Sequence, residues 1–94
     1  MNIRRLVLDV DKARERPSLL EIAQTIQGGV GVEVLNLTVD GIDIETVGMD
    51  ITVEGEHLDY DEILKAIEST GTAVHSIGQV VAGNRIIERV PWIR

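Results

Sequence analysis

Hydrophobic periodicity along the 94 residues predicts an α+β domain built on one antiparallel sheet. Two stretches repeat apolar residues at the helical spacing, and four stretches alternate apolar and polar residues as half-buried strands do. Their order along the chain is β-α-β-β-α-β. Because a chain of this length forms one core, residues 1–94 are predicted to be a single domain, with residues 90–94 as a short C-terminal tail.

The first predicted strand covers residues 4–10 and has one apolar and one mixed face. The apolar face, which is expected to point into the core, carries Leu6, Leu8 and Val10. The opposite face carries Arg5, Val7 and Asp9. The polar stretch 11–16 that follows is predicted to be a loop.

The first helix is predicted from its start signal, its apolar stripe and its stop signal. Pro17 and Ser18 open it, Pro being favoured in a first turn, and Ser18 and Glu21 have the spacing of a capping box. Gly28-Gly29 is expected to end it. The apolar stripe consists of Leu19, Ile22, Ala23 and Ile26.

The second and third strands are expected to form a hairpin. Their inward residues are predicted to be Leu35, Leu37, Val39, Met49, Ile51 and Val53, and their outward residues Val34, Asn36, Thr38, Asp50, Thr52 and Glu54. Asp40-Gly41 is a strong two-residue turn signal. However, Ile42 and Ile44 continue the alternation, so the turn is placed near residues 43–46, with Gly41 at a bulge.

The second helix repeats the design of the first. Asp59 and Glu62 are spaced to cap its start, and Gly71 is expected to end it. Its apolar stripe consists of Tyr60, Ile63, Leu64 and Ile67.

The last third of the chain, residues 73–90, is strand-like throughout. Gly83-Asn84 is a plausible tight turn, so residues 85–87 are predicted to form a short extra C-terminal strand after the fourth.

The element order predicts a ferredoxin-like βαββαβ sandwich. Each helix has a single apolar stripe, so both are expected to cover the same face of a four-stranded antiparallel sheet. The other sheet face would stay uncovered within a monomer. Function or assembly is therefore expected on that open face.

The sequence resembles an archaeal family called domain of unknown function 211. The resemblance lies in the stretches at 3–10, 36–39, 51–55 and 74–77, and in 80–83 with the basic residue and Ile that follow. It covers nearly the whole chain, in order and without insertion. It implies a ferredoxin-like fold, an archaeal source and self-assembly. It implies no established activity, so no catalytic residue is carried over, and although some members look like cation binders, no ligand motif transfers.

Composition excludes several classes of function. The formal net charge of −7 repels phosphate, so neither nucleic acid nor a membrane surface is an expected partner. With no cysteine there is no disulfide framework, thiolate zinc site or thiol nucleophile. No run of 18 apolar residues spans a membrane, and the N-terminus is unlike a signal peptide. A cytoplasmic location is expected.

Acidic residues are predicted to gather at one edge of the open face. In a ferredoxin-like sheet the first and third strands are antiparallel neighbours, so Asp9 lies near Asp50, and Asp40 joins them from the second strand. Asp11 and Asp43 are placed in the adjoining loops. Carboxylate oxygens suit Ca²⁺ or Mg²⁺, so these five residues are the candidate ligands of a divalent cation. No EF-hand spacing is present, and a solvated acidic rim is the alternative.

A second interpretation is a regulatory module of the amino-acid-sensing ACT type. Such domains bind small ligands near the loop between the first strand and first helix, here residues 9–18. Arg14 and Arg16 in that loop are candidates for gripping a small anionic metabolite. However, the loop lacks the glycine that ACT-type loops usually carry.

Templates for catalysis and for zinc do not match. The chain has no G-x-S-x-G elbow, and the glycines at 28–31 follow a helix instead of opening one. His57 and His75 lack ligand spacing, although His75 is placed where it can pair with a carboxylate on the open face. The outward positions of the first and third strands lack the aromatic residues of an RNA-recognition platform. The expectation is a non-enzymatic protein without an organic cofactor.

Apolar residues outside the predicted core indicate self-association. Val7 and Val34 lie among polar residues on the open face, and Trp92 and Ile93 follow Pro91 in the tail. Tryptophan is enriched at interface cores, and edge strands are open to β-addition. We therefore expect a homo-oligomer with these four residues at its interface.

Overall fold

The computed structural model describes residues 1–29 and 31–89, and it has the predicted element order. Strand β1 (Ile3–Ala13) leads to helix α1 (Leu19–Gln27), then to the hairpin of β2 (Val34–Ile42) and β3 (Thr46–Leu58). Helix α2 (Tyr60–Ser69) and strand β4 (Ala73–Ala82) follow. Within the described residues, no helix has the length and hydropathy needed to cross a membrane.

The four strands form one antiparallel sheet in the order β2-β3-β1-β4. The helices cover one face of the sheet, where alternate residues of the central strands β1 and β3 are almost fully buried with the helix stripes. The largest fully buried side chains are Leu6, Leu8, Val10, Ile22, Ile26, Met49, Ile51, Val53 and Ile67. This arrangement confirms the ferredoxin-like fold.

Both helices begin at the predicted caps. The Ser18 hydroxyl accepts a hydrogen bond from the backbone N–H of Glu21 at 3.2 Å, and the Asp59 carboxylate accepts one from Glu62 at 3.2 Å. Pro17, predicted to lie in the first turn, lies before the helix instead. Ser18 is the N-cap residue, and the first turn begins at Leu19. Gly71, at a φ of +93°, directly follows the C-cap of α2, a conformation that favours glycine.

The hairpin turn lies where the alternation of Ile42 and Ile44 placed it. The backbone N–H of Asp43 donates to the carbonyl of Thr46 at 2.8 Å, which closes the turn between β2 and β3. The register of β2 against β3 shifts between Val39 and Gly41, confirming the predicted bulge at this point.

Strand β1 is longer than predicted, and the prediction of a loop over 11–16 is wrong for its first three residues. The strand runs to Ala13, with Asp11 opposite Gly48 on β3. Lys12 is buried on the helix-covered face, and its ammonium donates to the carbonyls of Ala13 and Arg14 at 3.0 and 3.1 Å. A lysine can occupy an inward strand position when its apolar stem packs and its head finds carbonyl oxygens.

The predicted extra strand is absent from the described residues after β4. The chain turns at Gly83, where φ is +126°, and residues 86–89 have no strand partner. Glu88 instead bonds to Arg5 on the open face of β1, which draws this segment back over the sheet. The open face is thus partly covered at this end, and not bare as predicted.

Candidate cation site on the open sheet face

Three carboxylates from three neighbouring strands meet on the open face. Asp9 on β1, Asp50 on β3 and Asp40 on β2 each offer an oxygen, and these oxygens all lie within 4.8 Å of one another. Asp9 and Asp40 are exposed, and Asp50, on a central strand, is half-buried. The structure therefore brings together the three strand residues that the sequence predicted to be neighbours.

Strand register accounts for this convergence. Asp9 lies directly opposite Asp50, and the β2 residue opposite Asp50 is Thr38. In a regular ladder Asp40 would lie two residues further along β2. It is the residue at the bulge, where the register shifts between Val39 and Gly41, and bulges re-aim side chains.

Gly48 on β3 leaves room for the acidic side chains. A Cβ atom at this position would lie 3.0 Å from an Asp40 carboxylate oxygen and 3.3 Å from one of Asp11. These separations are tighter than ordinary van der Waals contact. The missing side chain thus lets two carboxylates pass over the strand.

The three clustered carboxylates have no basic partner in the part of the chain that the structure describes. No hydrogen bond or ion pair joins Asp9, Asp40 or Asp50 to a lysine, arginine or histidine there. Like charges this close repel one another, and a hard cation with oxygen ligands relieves that repulsion.

Asp11 and Asp43, the other two predicted ligands, have different surroundings. The Asp11 carboxylate lies 2.7 Å from Nε2 of His75, so this histidine pairs with an open-face carboxylate. The Asp43 carboxylate accepts a hydrogen bond from the backbone N–H of Ile44 at 2.8 Å, within the hairpin turn. Among described residues, neither aspartate belongs to the group of three. Asp11 borders it through Gly48, whereas Asp43 serves its own turn.

Carboxylates at the opposite end of the open face are neutralised from within the chain. The Arg5 guanidinium donates to Glu54 at 2.7 Å, to both Glu88 oxygens at 2.9 Å and to the Gln79 amide oxygen at 3.3 Å. These bonds, with Glu88 first and Glu54 second, raise the pKa of Arg5 above its ordinary value. The bond from Arg5 lowers the pKa of Glu88.

Sequence reasoning missed this arginine network. The alternation of apolar and polar residues in β1 and β3 places Arg5 and Glu54 on the open face, so their pairing is predictable from the sequence. The bond to Glu88 is not, because the residues before it, 85–87, are predicted to form a strand.

Arg14 and Arg16, the candidates for anion binding, line a shallow depression beside the hairpin turn. Glu15 and Glu45 line the same depression, and both arginines are exposed. The backbone N–H of Arg14 donates to the carbonyl of Glu45 at 3.2 Å, which holds the loop against the turn. Two acids beside two arginines leave this depression with little net charge.

The structure describes two of the four predicted interface residues, Val7 and Val34. Val34 on β2 is 55% exposed, whereas Val7 on β1 is half-buried. Trp92 and Ile93 lie outside the described residues.

Comparison with known proteins places the chain in a family. A family model described as "Uncharacterized ArCR", domain of unknown function 211, matches residues 4–94. The chain is also 46% identical over 88 residues to the uncharacterized protein MJ0319 of the archaeon Methanocaldococcus jannaschii, covering 94% of this chain and 90% of that protein. The chain therefore belongs to the family of domain of unknown function 211.

Proposed function

We propose that this protein is a non-enzymatic, self-assembling cytoplasmic domain that binds a divalent cation, Ca²⁺ or Mg²⁺, on its open sheet face. The observation that carries the proposal is the meeting of Asp9, Asp40 and Asp50, with oxygens within 4.8 Å of one another. Each comes from a different strand of a sheet whose other face is the core. The candidate site is therefore built on three strands of the sheet, which are rigid elements.

The composition of the cluster favours a hard cation. Three carboxylates offer up to six oxygens, and Ca²⁺ takes 6–8 oxygen ligands, including water, in flexible geometry. Mg²⁺ keeps several waters and is satisfied with one or two carboxylates. With no cysteine in the chain and His75 engaged by Asp11, softer metals find fewer of the ligands they prefer.

The surrounding charge strengthens the case. The whole chain carries a formal charge of −7, and the arginine on this face, Arg5, is bonded to Glu54 and Glu88 at the other end. Asp9 lies four residues after Arg5 on β1, about 13 Å along an extended strand, and Arg5 is held in place by its own partners. An external cation is the direct way to compensate the cluster.

Isothermal titration calorimetry with CaCl₂, and separately with MgCl₂, tests the proposal. We expect saturable binding by the chelator-treated protein and its loss in Asp9→Asn and Asp50→Asn. Asp61→Asn, which removes the same charge from an exposed position on α2, is the matched control and should bind as the unaltered protein does. Absence of saturable binding, or equal loss in Asp61→Asn, would overturn the proposal.

The alternative, an ACT-like module that binds a small anion near the first strand–helix loop, rests on the shared depression of Arg14 and Arg16. Its ligand would be a carboxylate or phosphate compound. This reading predicts that phosphate stabilises the protein, that Arg16→Ala removes the effect, and that a chelator has no influence. The acids at positions 15 and 45 weigh against it, so the cation site is the function that the geometry supports better.

A further inference from the structure

The two edge strands of the sheet carry apolar residues that the helices do not cover. On β4, Ile77 and Val80 lie opposite Leu8 and Leu6 of the core, yet they are 45% and 47% exposed. On β2, Val39 lies opposite Met49 and is 38% exposed. Both edges therefore extend the apolar side of the sheet beyond the helices.

The direction of the strands lets these edges join. Strand β2 is antiparallel to β3, β3 to β1, and β1 to β4, so β2 and β4 run in opposite directions. When β4 of one copy lies beside β2 of the next copy, the pair is antiparallel and both copies keep their helices on the same side. The sheet then continues from copy to copy with its apolar rows aligned.

The opposite charges of the two edges favour a second copy of the chain as the partner that binds there. Residues 33–45, which contain β2 and its flanks, hold four acids and no lysine or arginine. Residues 73–89, which contain β4 and the following segment, hold Arg85 and Arg89, and their single acid, Glu88, is bonded to Arg5. Antiparallel pairing sets the end of β4 beside the start of the neighbouring β2, which brings Arg85 towards the partner's Glu33. Pairing of two β2 edges would bring acids together instead.

We propose that the β4 edge of one copy binds the β2 edge of the next in a head-to-tail contact that continues the sheet. This inference rests on the self-assembly that we propose above and specifies its interface. Since each copy offers one edge of each kind, the assembly does not stop at a dimer. It closes into a ring or grows as a filament.

Charged substitutions at the two edges test the contact. Ile77→Lys places a lysine on the β4 edge and Val39→Lys places one on the β2 edge, a device that prevents edge pairing. Leu20→Lys, at a residue 75% exposed on α1, is the matched control. In native mass spectrometry we expect oligomers of more than two copies for the unaltered protein and for Leu20→Lys, and monomers for both edge variants.

Mixing the two edge variants gives the sharper result. Ile77→Lys keeps an intact β2 edge and Val39→Lys keeps an intact β4 edge, so an equimolar mixture should form a 1:1 heterodimer and nothing larger. A dimer of Val39→Lys alone would indicate β4–β4 pairing and overturn the inference. Oligomers of both edge variants, unchanged in size, would also overturn it while leaving self-assembly intact. A monomeric unaltered protein would overturn both proposals of assembly.

Cysteine cross-linking covers the case in which a lysine variant fails to fold. Thr38 on β2 and Ser76 on β4 lie in one row across the open face, opposite Asp50 and Asp9 respectively. The chain has no cysteine, and within one copy two strands separate these positions, about 14 Å, too far for a disulfide. The Thr38→Cys, Ser76→Cys double variant should oxidise to a ladder of covalent oligomers. A protein that stays monomeric on oxidation would contradict the contact.

Calorimetric titration with Ca²⁺ on monomeric Ile77→Lys tests the cation site separately from the assembly.

Discussion

The two ends of the open sheet face handle carboxylate charge in opposite ways. At one end, Arg5 bonds Glu54 and Glu88, so each acid has a cation from its own chain. At the other end, Asp9, Asp40 and Asp50 meet without a basic partner among the described residues. Both ends are built on the same strands, β1 and β3, and on the same side of the sheet.

In the function that we propose, this difference separates a structural role from a binding role. The arginine network joins β1 to β3, β4 and the segment after β4, because Arg5 on β1 donates hydrogen bonds to Glu54, Gln79 and Glu88. Among the described residues, the three clustered aspartates form no such links to basic side chains. Like charges this close repel one another, and in the proposed function a bound cation relieves that repulsion.

The largest expected effect comes from Gly55, on β3 near the arginine end. A Cβ atom there would overlap the backbone carbonyl oxygen of Gly31. Gly55→Ala should therefore lower the unfolding free energy by about 3 kcal/mol or more, since a backbone atom cannot swing aside as a side chain does. Chemical denaturation checks this, with Gly41→Ala as control because nothing lies within 4 Å of a Cβ at that position. Equal stability of the two variants would contradict the close packing of the Gly31 backbone against Gly55 of β3.

Removing the arginine should have the next largest effect. Arg5→Met leaves Glu54 and Glu88 without their shared partner, and the Arg5 side chain is only 15% exposed. The unfolding free energy should fall by about 1–3 kcal/mol, as for the loss of charge-assisted hydrogen bonds. Lys65→Met, which removes an exposed 3.9 Å pair with Glu62, should change it by less than about 0.5 kcal/mol. Similar losses in both variants would show that the network adds no more than a surface ion pair does.

A methyl group at Gly48 should weaken Ca²⁺ binding by Asp9, Asp40 and Asp50 without a comparable loss of stability. The added Cβ pushes on the carboxylates of Asp40 and Asp11, which are side chains and can give way. Gly48→Ala should reduce Ca²⁺ affinity about tenfold in calorimetry, as for other changes to residues that orient ligands. Without cation, stability should change by no more than about 0.5 kcal/mol. Affinity unchanged in Gly48→Ala would place the ligands elsewhere.

The smallest expected effect is the pH response of Glu88. Its pKa lies below the ordinary 4.5 because Arg5 bonds the ionised form. The contact is therefore fully present above about pH 4.5 and is lost as the pH falls through the lowered value. An NMR titration should show a Glu88 midpoint below 4.5, returning to the ordinary value in Arg5→Met. A midpoint that is equal in both proteins would contradict the bond.

Local patterns predicted most of the fold, because each element follows from neighbouring residues. Capping by Ser18 and Asp59 and the alternation that continues through Ile44 fixed the helix starts and the hairpin turn. The patterns failed where side-chain hydrogen bonds decide the structure. Lys12 is polar yet buried, since its ammonium reaches the carbonyls of Ala13 and Arg14. The segment holding Glu88 leaves the strand direction to reach the distant Arg5.

The meeting of the three aspartates could be predicted from the sequence because it follows from the order of the strands in the sheet. Antiparallel pairing of β1 with β3 places Asp9 beside Asp50, and the topology adds Asp40 from β2. The partners of Asp11 and Asp43 were not predictable from the pattern. Whether an aspartate turns towards a histidine, its own turn or the cluster depends on side-chain positions that alternation does not encode.

The stability of Asp50→Asn, measured by chemical denaturation with and without Ca²⁺, tests the central claim most directly. Without cation the variant should be more stable than the unaltered protein by about 0.5 kcal/mol, because one repelling charge is gone. With Ca²⁺ at 100 times the dissociation constant, the unaltered protein should gain about 2.7 kcal/mol and become the more stable of the two. A variant that is less stable under both conditions, or an unaltered protein indifferent to Ca²⁺, would contradict the account.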